Sequence, residues 1–131
     1  MEPSADEVMR SYAAAWERAD AAGAFAHYAD DVVMRIPGHS PAAGEHRGKE
    51  AVVACIRSLL SQTEGVEVEV IDRLVGTEHV VMLVRERARR VDQMLDIRRA
   101  NAYRVSGGKI VEIDIYEGDQ YQVDDFFRGG S

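Results

Sequence analysis

The residues with the clearest chemical potential lie in one stretch near the end of the chain, residues 97–119. It reads as a long β-hairpin in which Ser-Gly-Gly joins IRRANAYRV to KIVEIDIYEGD. Side chains alternate between the two faces of a strand, so a hairpin can place a few polar groups on an apolar face. The polar residues among its Ile, Val and Ala positions are Asn101, Tyr103, Asp114 and Glu117. Such a surface is typical of a small-molecule pocket, so the hairpin predicts a pocket-forming domain.

Glu117 is the first candidate for acid–base chemistry. A carboxylate at the mouth of an apolar pocket has a raised pKa, which suits proton transfer near neutral pH. The alternative is a rim glutamate paired with an arginine, and an inward-facing Arg99 could hold it in place. Asp119 is the reserve candidate, with a helix or turn cap as its alternative role. His39 could titrate near pH 7 and act on substrate, or be an exposed loop histidine without a role.

Three further candidates have equally clear alternatives. Tyr12 could donate a hydrogen bond to a substrate carbonyl, or be a core tyrosine bonded to a backbone group. Trp16, one helical turn later on the same face, is expected to fill the core or form a pocket wall. Asn101 on a buried strand is costly unless it is hydrogen-bonded, so it fits a pocket role or a structural one.

Length and composition limit the possible functions. The 131 residues form one predicted domain, 1–131. A net charge of −7 disfavours nucleic-acid binding, and no apolar run reaches the ~18 residues of a membrane helix. The acidic start, MEPSADEVMR, predicts no signal peptide, and the single Cys55 excludes an internal disulfide, so we expect a cytoplasmic protein. One cysteine and four scattered histidines also predict no metal site.

The order of predicted elements indicates an α+β fold. Ser4 caps a first helix that runs to about Ala19, and its apolar residues recur at helical spacing. Further helices and strands are predicted along the rest of the chain. The others are a helix at 22–28, a strand at 32–36, an irregular lid at 37–48, a helix at 49–62, strands at 66–75 and 79–90, the hairpin, and a helical tail at 120–127 with a frayed end at 128–131. Three helices followed by antiparallel strands predict layers, and a strongly curved sheet around the first helix leaves a cone-shaped pocket.

Two strand registers stay open at the level of the residues. A two-residue Gly107-Gly108 turn pairs Asn101 with Asp114. A three-residue turn with a bulge places Asn101 opposite Ile113 and puts Glu117 on their face. The strand at 79–90 can likewise turn either of two apolar faces inward. One face carries Val80, Met82 and Val84, and the other carries Val81, Leu83, Arg85 and Arg87.

Several segments, taken in order, resemble the nuclear transport factor 2-like superfamily, in particular its ketosteroid isomerase and SnoaL-type polyketide cyclase branch. The segments are SYAAAW at 11–16 with Asp20, YADDVV at 28–33 with Ile36-Pro37-Gly38, GKEA at 48–51, and Tyr103-Arg104-Val105 with Gly108-Lys109-Ile110. The resemblance covers nearly the whole chain. It favours the three-residue hairpin turn, places Leu83 and Arg85 inside, and implies a homodimer formed through the outer sheet face.

The family's functional positions transfer to this chain only in part. Ketosteroid isomerase uses an aspartate base and an oxyanion hole made of a tyrosine and a protonated aspartate. By resemblance the tyrosine falls on Tyr12 and the protonated aspartate on Asn101, whose amide is a neutral donor. The base position falls on Ile36, which cannot accept a proton. SnoaL-type cyclases place an acid or base near the end of the last strand, the neighbourhood of Glu117 and Asp119.

A related branch with the same fold, the limonene-type epoxide hydrolases, activates water with an Asp-Arg-Asp set. Arg85 is similar to their arginine, but the two aspartate positions fall on Arg87 and Ile115. An epoxide hydrolase is therefore a further alternative.

These observations predict a cofactor-independent isomerase, cyclase or dehydratase that acts on a small apolar ketone-bearing molecule. A non-catalytic binding module with the same cone is the alternative, supported by Ile36 at the base position. The predicted catalytic residues are Tyr12, Asn101, Glu117 and Asp119, and the predicted pocket lining is Trp16, Ile36, His39, Leu83, Arg85, Tyr103, Ile113 and Ile115.

Overall fold

The computed structural model describes residues 2–128 and confirms an α+β architecture. The frayed end predicted for 128–131 falls outside these residues except for Arg128, which closes the last helix. The elements in chain order are α1 (Ala5–Glu17), α2 (Ala21–Phe25), β1 (Tyr28–Ile36), β2 (Gly44–Arg47), α3 (Lys49–Ser61), β3 (Glu64–Val75), β4 (His79–Arg90), β5 (Gln93–Ser106), β6 (Lys109–Glu117) and α4 (Gln120–Arg128).

The helices before the sheet begin at side-chain caps, as the sequence predicts. The Ser4 hydroxyl oxygen accepts a hydrogen bond from the Glu7 backbone N–H at 3.1 Å, which satisfies an otherwise unpaired donor of the first turn. Helix α1 ends two residues earlier than predicted, because Ala19 takes a left-handed conformation with φ 58°. Asp20 then caps α2 through Gly23 N–H at 2.9 Å, and Tyr28, predicted as helical, already begins β1.

The six strands form one sheet in the order β2-β1-β6-β5-β4-β3. Strand β1 runs parallel to β6, and all other neighbours in the sheet are antiparallel. The segment predicted to be an irregular lid is shorter than expected, because Gly44–Arg47 adds to the edge of β1 as strand β2. Only residues 37–43 remain a loop there.

The β5–β6 hairpin keeps the predicted faces but reaches them by a different register. Its turn has two residues, Gly107 and Gly108, both with positive φ, as a tight hairpin turn requires. The expected three-residue turn is therefore wrong. A register shift after the first pairs then places Asn101 opposite Ile115 and not opposite Ile113. The bulge restores the face that a two-residue turn alone would have reversed.

The concave face of the sheet carries two separate apolar clusters. The larger joins α1, α2 and the start of α3 to β1, β4, β5 and β6. The smaller consists of α4 residues on the far ends of β4 and β5, namely Val123 and Phe126 against Ala88, Leu95 and Ile97. Polar side chains of the concave face lie between these two clusters. This polar band is the candidate place for a functional site.

The β3 edge of the sheet is apolar and exposed. Val68, Ile71, Leu74 and Val75 are each about half exposed, and α3 buries only Val52 fully. No helix within residues 2–128 has the length and hydrophobicity needed to cross a membrane.

Candidate functional site

Strand β5 carries the centre of the polar band on the concave face. Arg99, Asn101 and Tyr103 occupy alternate positions and therefore point to the same side of the sheet. Their cross-strand partners on β6 are Glu117, Ile115 and Ile113. On β4 the partners are Val84, Met82 and Val80.

Glu117 is the more deeply buried of the two glutamates in this band. Its side chain is only 3% exposed, and its carboxylate accepts a hydrogen bond from Arg99 Nε at 2.9 Å. Burial raises the pKa of Glu117 above its ordinary value, and the Arg99 guanidinium opposes this effect without cancelling it. The negative charges of Glu86 and Asp124 raise the same pKa further. Glu117 therefore has the environment of a group that exchanges protons closer to neutrality than an ordinary glutamate.

Arg99 is bracketed by two carboxylates. Besides Glu117 it contacts Glu86, with 3.1 Å between Arg99 Nη1 and Glu86 Oε2, and the side chains of Arg99 and Glu86 are 15% and 19% exposed. The sequence analysis missed Glu86. The signal was available, since Glu86 follows Met82 and Val84 at the alternate positions of one face.

A group of tyrosines lies beyond Asn101 on the same face. The hydroxyl oxygens of Tyr12 and Tyr28 are 2.7 Å apart, and the rings of Tyr12 and Tyr103 have centroids 5.6 Å apart. Trp16 packs edge-on against Tyr12 at 6.2 Å. Burial raises the pKa of Tyr12 and of Tyr103 well above the ordinary value, and the neighbouring phenols raise it further. These hydroxyls stay protonated at any physiological pH and can act as hydrogen-bond donors.

Asn101 lies between the tyrosines and the charged groups, and its amide is only partly hydrogen-bonded. Its Oδ1 is buried without a hydrogen-bond partner among the described residues. The hydrogen-bonding contact of its side chain with Tyr103 lowers the pKa of that phenol, against the larger effect of burial. This direction fits an amide N–H that donates to the Tyr103 oxygen.

Ile36, Ile113 and Ile115 form the apolar surroundings of the band. Ile113 is 2% exposed, and Ile36 and Ile115 are half-buried against the larger core cluster. The position that the resemblance assigns to the base therefore carries an inward-facing aliphatic side chain.

Leu83 and Arg85 do not lie in the interior, and the prediction that they line it was wrong. The β4–β5 register turns Val80, Met82 and Val84 inward, so the residues between them face outward. Arg85 pairs there with Asp96, at 2.7 Å between Nη2 and Oδ2. The sequence holds the deciding signal further along the strand, where Arg85, Arg87 and Arg89 share one face and Ala88 lies on the other.

Asp119 and His39 lie at the rim, away from the buried band. Asp119 is exposed and caps α4, with its Oδ1 accepting from the Gln122 backbone N–H at 3.1 Å. The His39 side chain is exposed, whereas its backbone N–H donates to Asp124 Oδ1 at 3.1 Å. The roles in catalysis and binding that the sequence suggests for these two residues stay predictions.

Asp124 fastens the loop 37–43 to α4. Its carboxylate is 6% exposed and also accepts from Gln120 Nε2 at 3.0 Å. Gly38 has φ 92°, and a Cβ there would overlap with the side chains of Gln120 and Asp124. The loop therefore closes against α4 beside the Glu117 end of the interior.

Two cavities of the described residues lie outside the polar band. One, of about 320 Å³, is a surface cavity beside Arg35, Ile36 and Tyr116. The other, of about 250 Å³, lies between the outer sides of β3 and β4. Neither is lined by Tyr12, Asn101 or Glu117. No group of three or more potential metal ligands occurs within residues 2–128.

Comparison with known proteins identifies the family. The model of the SnoaL-like domain matches residues 9–113, most of the chain. The chain belongs to the SnoaL-like domain family. It is also 33% identical, over 124 residues, to an uncharacterized protein of Mycobacterium tuberculosis, with 93% of this chain and 94% of that protein covered.

Solved structures confirm the fold of this SnoaL-like domain. A protein from a soil-derived mobile gene cassette superposes with a TM-score of 0.88 at 24% identity, covering 95% of this chain and 96% of that one. An NTF2-like protein of Burkholderia xenovorans gives 0.79 at 23%, covering 97% and 99%. A Mesorhizobium loti protein described as a SnoaL-like polyketide cyclase gives 0.73 at 23%, covering 85% and 97%. The chain thus has the same fold as these NTF2-like and SnoaL-like structures.

Proposed function

We propose that this SnoaL-like domain is a cofactor-independent enzyme of the isomerase, cyclase or dehydratase type. It moves a proton on a small apolar molecule that bears a ketone, and Glu117 is the group that carries the proton. The observation that supports this best is the 3% exposure of the Glu117 side chain together with the raised pKa of its carboxyl. General acid–base groups are tuned in this way to work near neutral pH, and each contributes roughly 10²–10⁴-fold to a rate.

The neighbouring phenols are the source of oxyanion stabilisation in this proposal. Removal of a proton beside a ketone leaves negative charge on its oxygen, and fixed donors in a dry site stabilise that charge. Tyr12 and Tyr103 keep their protons because burial raises the pKa of both. The Tyr12 hydroxyl already faces Tyr28, so Tyr28 sets the direction of the Tyr12 hydroxyl.

Arg99 positions the proposed base. Its Nε holds one Glu117 oxygen at 2.9 Å, which leaves the other carboxylate oxygen for substrate. The same contact lowers the pKa of Glu117 relative to a buried, unpaired carboxylate.

The test is solvent deuterium exchange. We expect the protein to incorporate deuterium from D2O at the carbon beside the carbonyl of aryl methyl ketones and β,γ-unsaturated ketosteroids, measured by mass spectrometry. Glu117→Gln abolishes exchange above background while the circular dichroism spectrum and melting temperature show a folded protein. The matched control is Glu112→Gln, which changes a glutamate on the outer face of the same strand. Unchanged exchange in Glu117→Gln contradicts the proposal.

A second candidate, epoxide hydrolysis, is favoured by Arg99 lying between Glu86 and Glu117. Two carboxylates around one arginine can hold and deprotonate a water molecule for attack on an epoxide. This set replaces the Arg85 set considered from the sequence, since Arg85 faces outward. Hydrolysis of styrene oxide or limonene oxide in H2¹⁸O, with label in the diol that is lost in Arg99→Met and retained in Arg104→Met, would favour this candidate over the isomerase.

We also propose that the chain forms a homodimer and works on its small molecule in the cytoplasm. The exposed apolar residues of β3 support association with a second copy, because a monomer leaves them in water. Light scattering after size exclusion measures the mass; a value of one chain at micromolar concentration contradicts the dimer. Ligand binding without turnover of any probe would point instead to a non-catalytic binding module, for which Ile36 at the family's base position is the supporting observation.

A further inference from the structure

The proposed function leaves one feature of the interior unused, which is the amide of Asn101. Its Oδ1 is sealed from solvent and has no hydrogen-bond partner among residues 2–128. Buried polar groups are nearly always paired, and an unpaired one calls for a specific explanation. An amide oxygen can only accept, so the missing partner is a donor.

The two neighbouring strands offer no donor side chain directly opposite Asn101. Its cross-strand neighbours are Met82 and Ile115, and neither side chain has an N–H or O–H. The nearest phenol, Tyr103, takes part through the other end of the amide, since the Asn101 contact lowers its pKa as a donated hydrogen bond does. The Tyr12 hydroxyl lies against that of Tyr28 and makes no hydrogen bond to Asn101 Oδ1.

The position of Asn101 also places the orphan oxygen beside the proposed base. On one face of a strand, successive side chains are about 6.5–7 Å apart, and Arg99 with its partner Glu117 occupies the next position on this face. A molecule whose carbon lies against Glu117 can therefore extend another polar group to Asn101. The Arg99 and Glu86 side chains at this end of the band are partly exposed, at 15% and 19%.

We infer that the ligand of this interior carries a hydroxyl group, an enol or a phenol, which donates a hydrogen bond to Asn101 Oδ1. This inference rests on the proposed function for the site but assigns Asn101 the opposite polarity to the one the sequence suggests. The resemblance makes Asn101 a donor to an oxyanion, whereas the structure leaves it an acceptor. The substrate class becomes a hydroxylated aromatic or enolised ketone of small size, and a ketone without a hydroxyl is the poorer ligand.

Matched ketones test the inference by calorimetry. The probes are 2-acetylnaphthalene, its 6-hydroxy derivative and its 6-methoxy derivative, which share one ring system. The wild-type protein should bind the hydroxy ketone about tenfold more tightly than the unsubstituted ketone, as a neutral hydrogen bond in a dry site provides. The methoxy ketone has no donor and should bind no more tightly than the unsubstituted one.

Asn101→Leu removes the acceptor while keeping the branched shape of the side chain, and it should reduce the ratio between hydroxy and unsubstituted ketone to about one. Met82→Leu, at the opposite position on β4, is the matched control and should keep the tenfold ratio. If Asn101→Leu does not fold, Asn101→Ala serves the same comparison. A wild-type ratio near one, a ratio that Asn101→Leu leaves unchanged, or no binding of any of the three ketones overturns the inference.

Failure here and failure of the proposed function give different results. Deuterium exchange that depends on Glu117, without preference for the hydroxyl, overturns the role of Asn101 and keeps the enzyme. A hydroxyl preference that depends on Asn101, without exchange in any ketone, keeps the binding site and overturns the enzyme.

Discussion

Two arginine–glutamate pairs on the same two strands, one facing inward and one outward, show what burial does to identical chemistry. Arg99 and Glu117 pair on the concave face with side chains 15% and 3% exposed. Arg104 and Glu112 pair on the outer face at 33% and 31%. The pKa of Glu117 is raised because burial outweighs its arginine, and the pKa of Glu112 is lowered because the hydrogen bond from Arg104 outweighs burial. An ion pair thus does not determine the behaviour of its carboxylate until its depth is known.

The outer face as a whole follows the exposed pattern. Arg35 contacts Glu45, Glu112 and Asp114, and Arg85 contacts Asp96. The Arg85 hydrogen bond lowers the pKa of Asp96. A lowered carboxylate pKa of this kind is expected of a surface ion pair. The interior pair differs, and this difference is why it suggests chemistry.

The largest expected difference between the two pairs is in activity. Glu117→Gln should lower the rate of deuterium exchange by about 10³-fold, since general acid–base groups contribute roughly 10²–10⁴-fold. Glu112→Gln should leave the rate within about twofold, because its carboxylate faces away from the interior. Equal exchange rates in both variants and in the wild-type protein would contradict a functional difference between the two pairs.

The next difference is in stability. Arg99→Met leaves two carboxylates, Glu86 and Glu117, without their shared partner, and we expect a loss of about 3 kcal/mol in the free energy of unfolding at pH 7. Arg104→Met breaks a partly exposed pair and should cost less than about 1 kcal/mol. Urea denaturation of both variants measures these values, and a cost for Arg104→Met as large as for Arg99→Met contradicts the account.

The pH dependence of stability should have opposite signs at the two glutamates. A raised folded-state pKa means that Glu117 contributes stability below its unfolded pKa and that this contribution is lost as pH rises through its folded pKa. Glu112 has a lowered pKa, so its contribution is present above the unfolded pKa and is lost as pH falls through its folded pKa. Denaturation from pH 3 to pH 8 should show wild type losing stability relative to Glu117→Gln as pH rises, and relative to Glu112→Gln as pH falls. The same slope for both differences would be inconsistent with the structure.

The smallest expected effect concerns the uncharged neighbour of the inner pair. Asn101→Leu removes a buried acceptor that has no partner together with the amide N–H that donates to Tyr103, so the two effects oppose each other and the free energy of unfolding of the ligand-free protein should change by less than about 1 kcal/mol. Thermal and urea unfolding at one pH measure the change, with Met82→Leu as the control for altered packing. A loss of more than about 1 kcal/mol in Asn101→Leu alone would contradict this account of the amide.

The sequence predicts the architecture well because local signals and overall order agree. The caps at Ser4 and Asp20 and the apolar spacing of the helices place the elements within a few residues. The residues of β5 and β6 also predict the correct faces, although the Gly107-Gly108 turn and a bulge produce them in a way that the spacing alone does not reveal.

The candidate site is less predictable because its members depend on register and burial. Leu83 and Met82 are equally apolar, so periodicity cannot choose between their faces until the arginines at the end of β4 are considered. The sequence predicts Tyr28 to be helical, and Glu86 lies in a run of charged residues that is typical of an exposed strand. The depth of the side chain separates Glu117 from Glu112, and no residue pattern near Glu117 in the sequence reports this depth.

The most direct test of the central claim is the pKa of the Glu117 carboxyl itself. Carbon-13 NMR titration of protein labelled at the glutamate side chains, with Glu117→Gln and Glu112→Gln to assign the two signals, gives both values in one sample. The account predicts that Glu117 titrates above the ordinary glutamate value of 4.5 and Glu112 below it. A Glu117 signal that titrates at or below the Glu112 signal would contradict it.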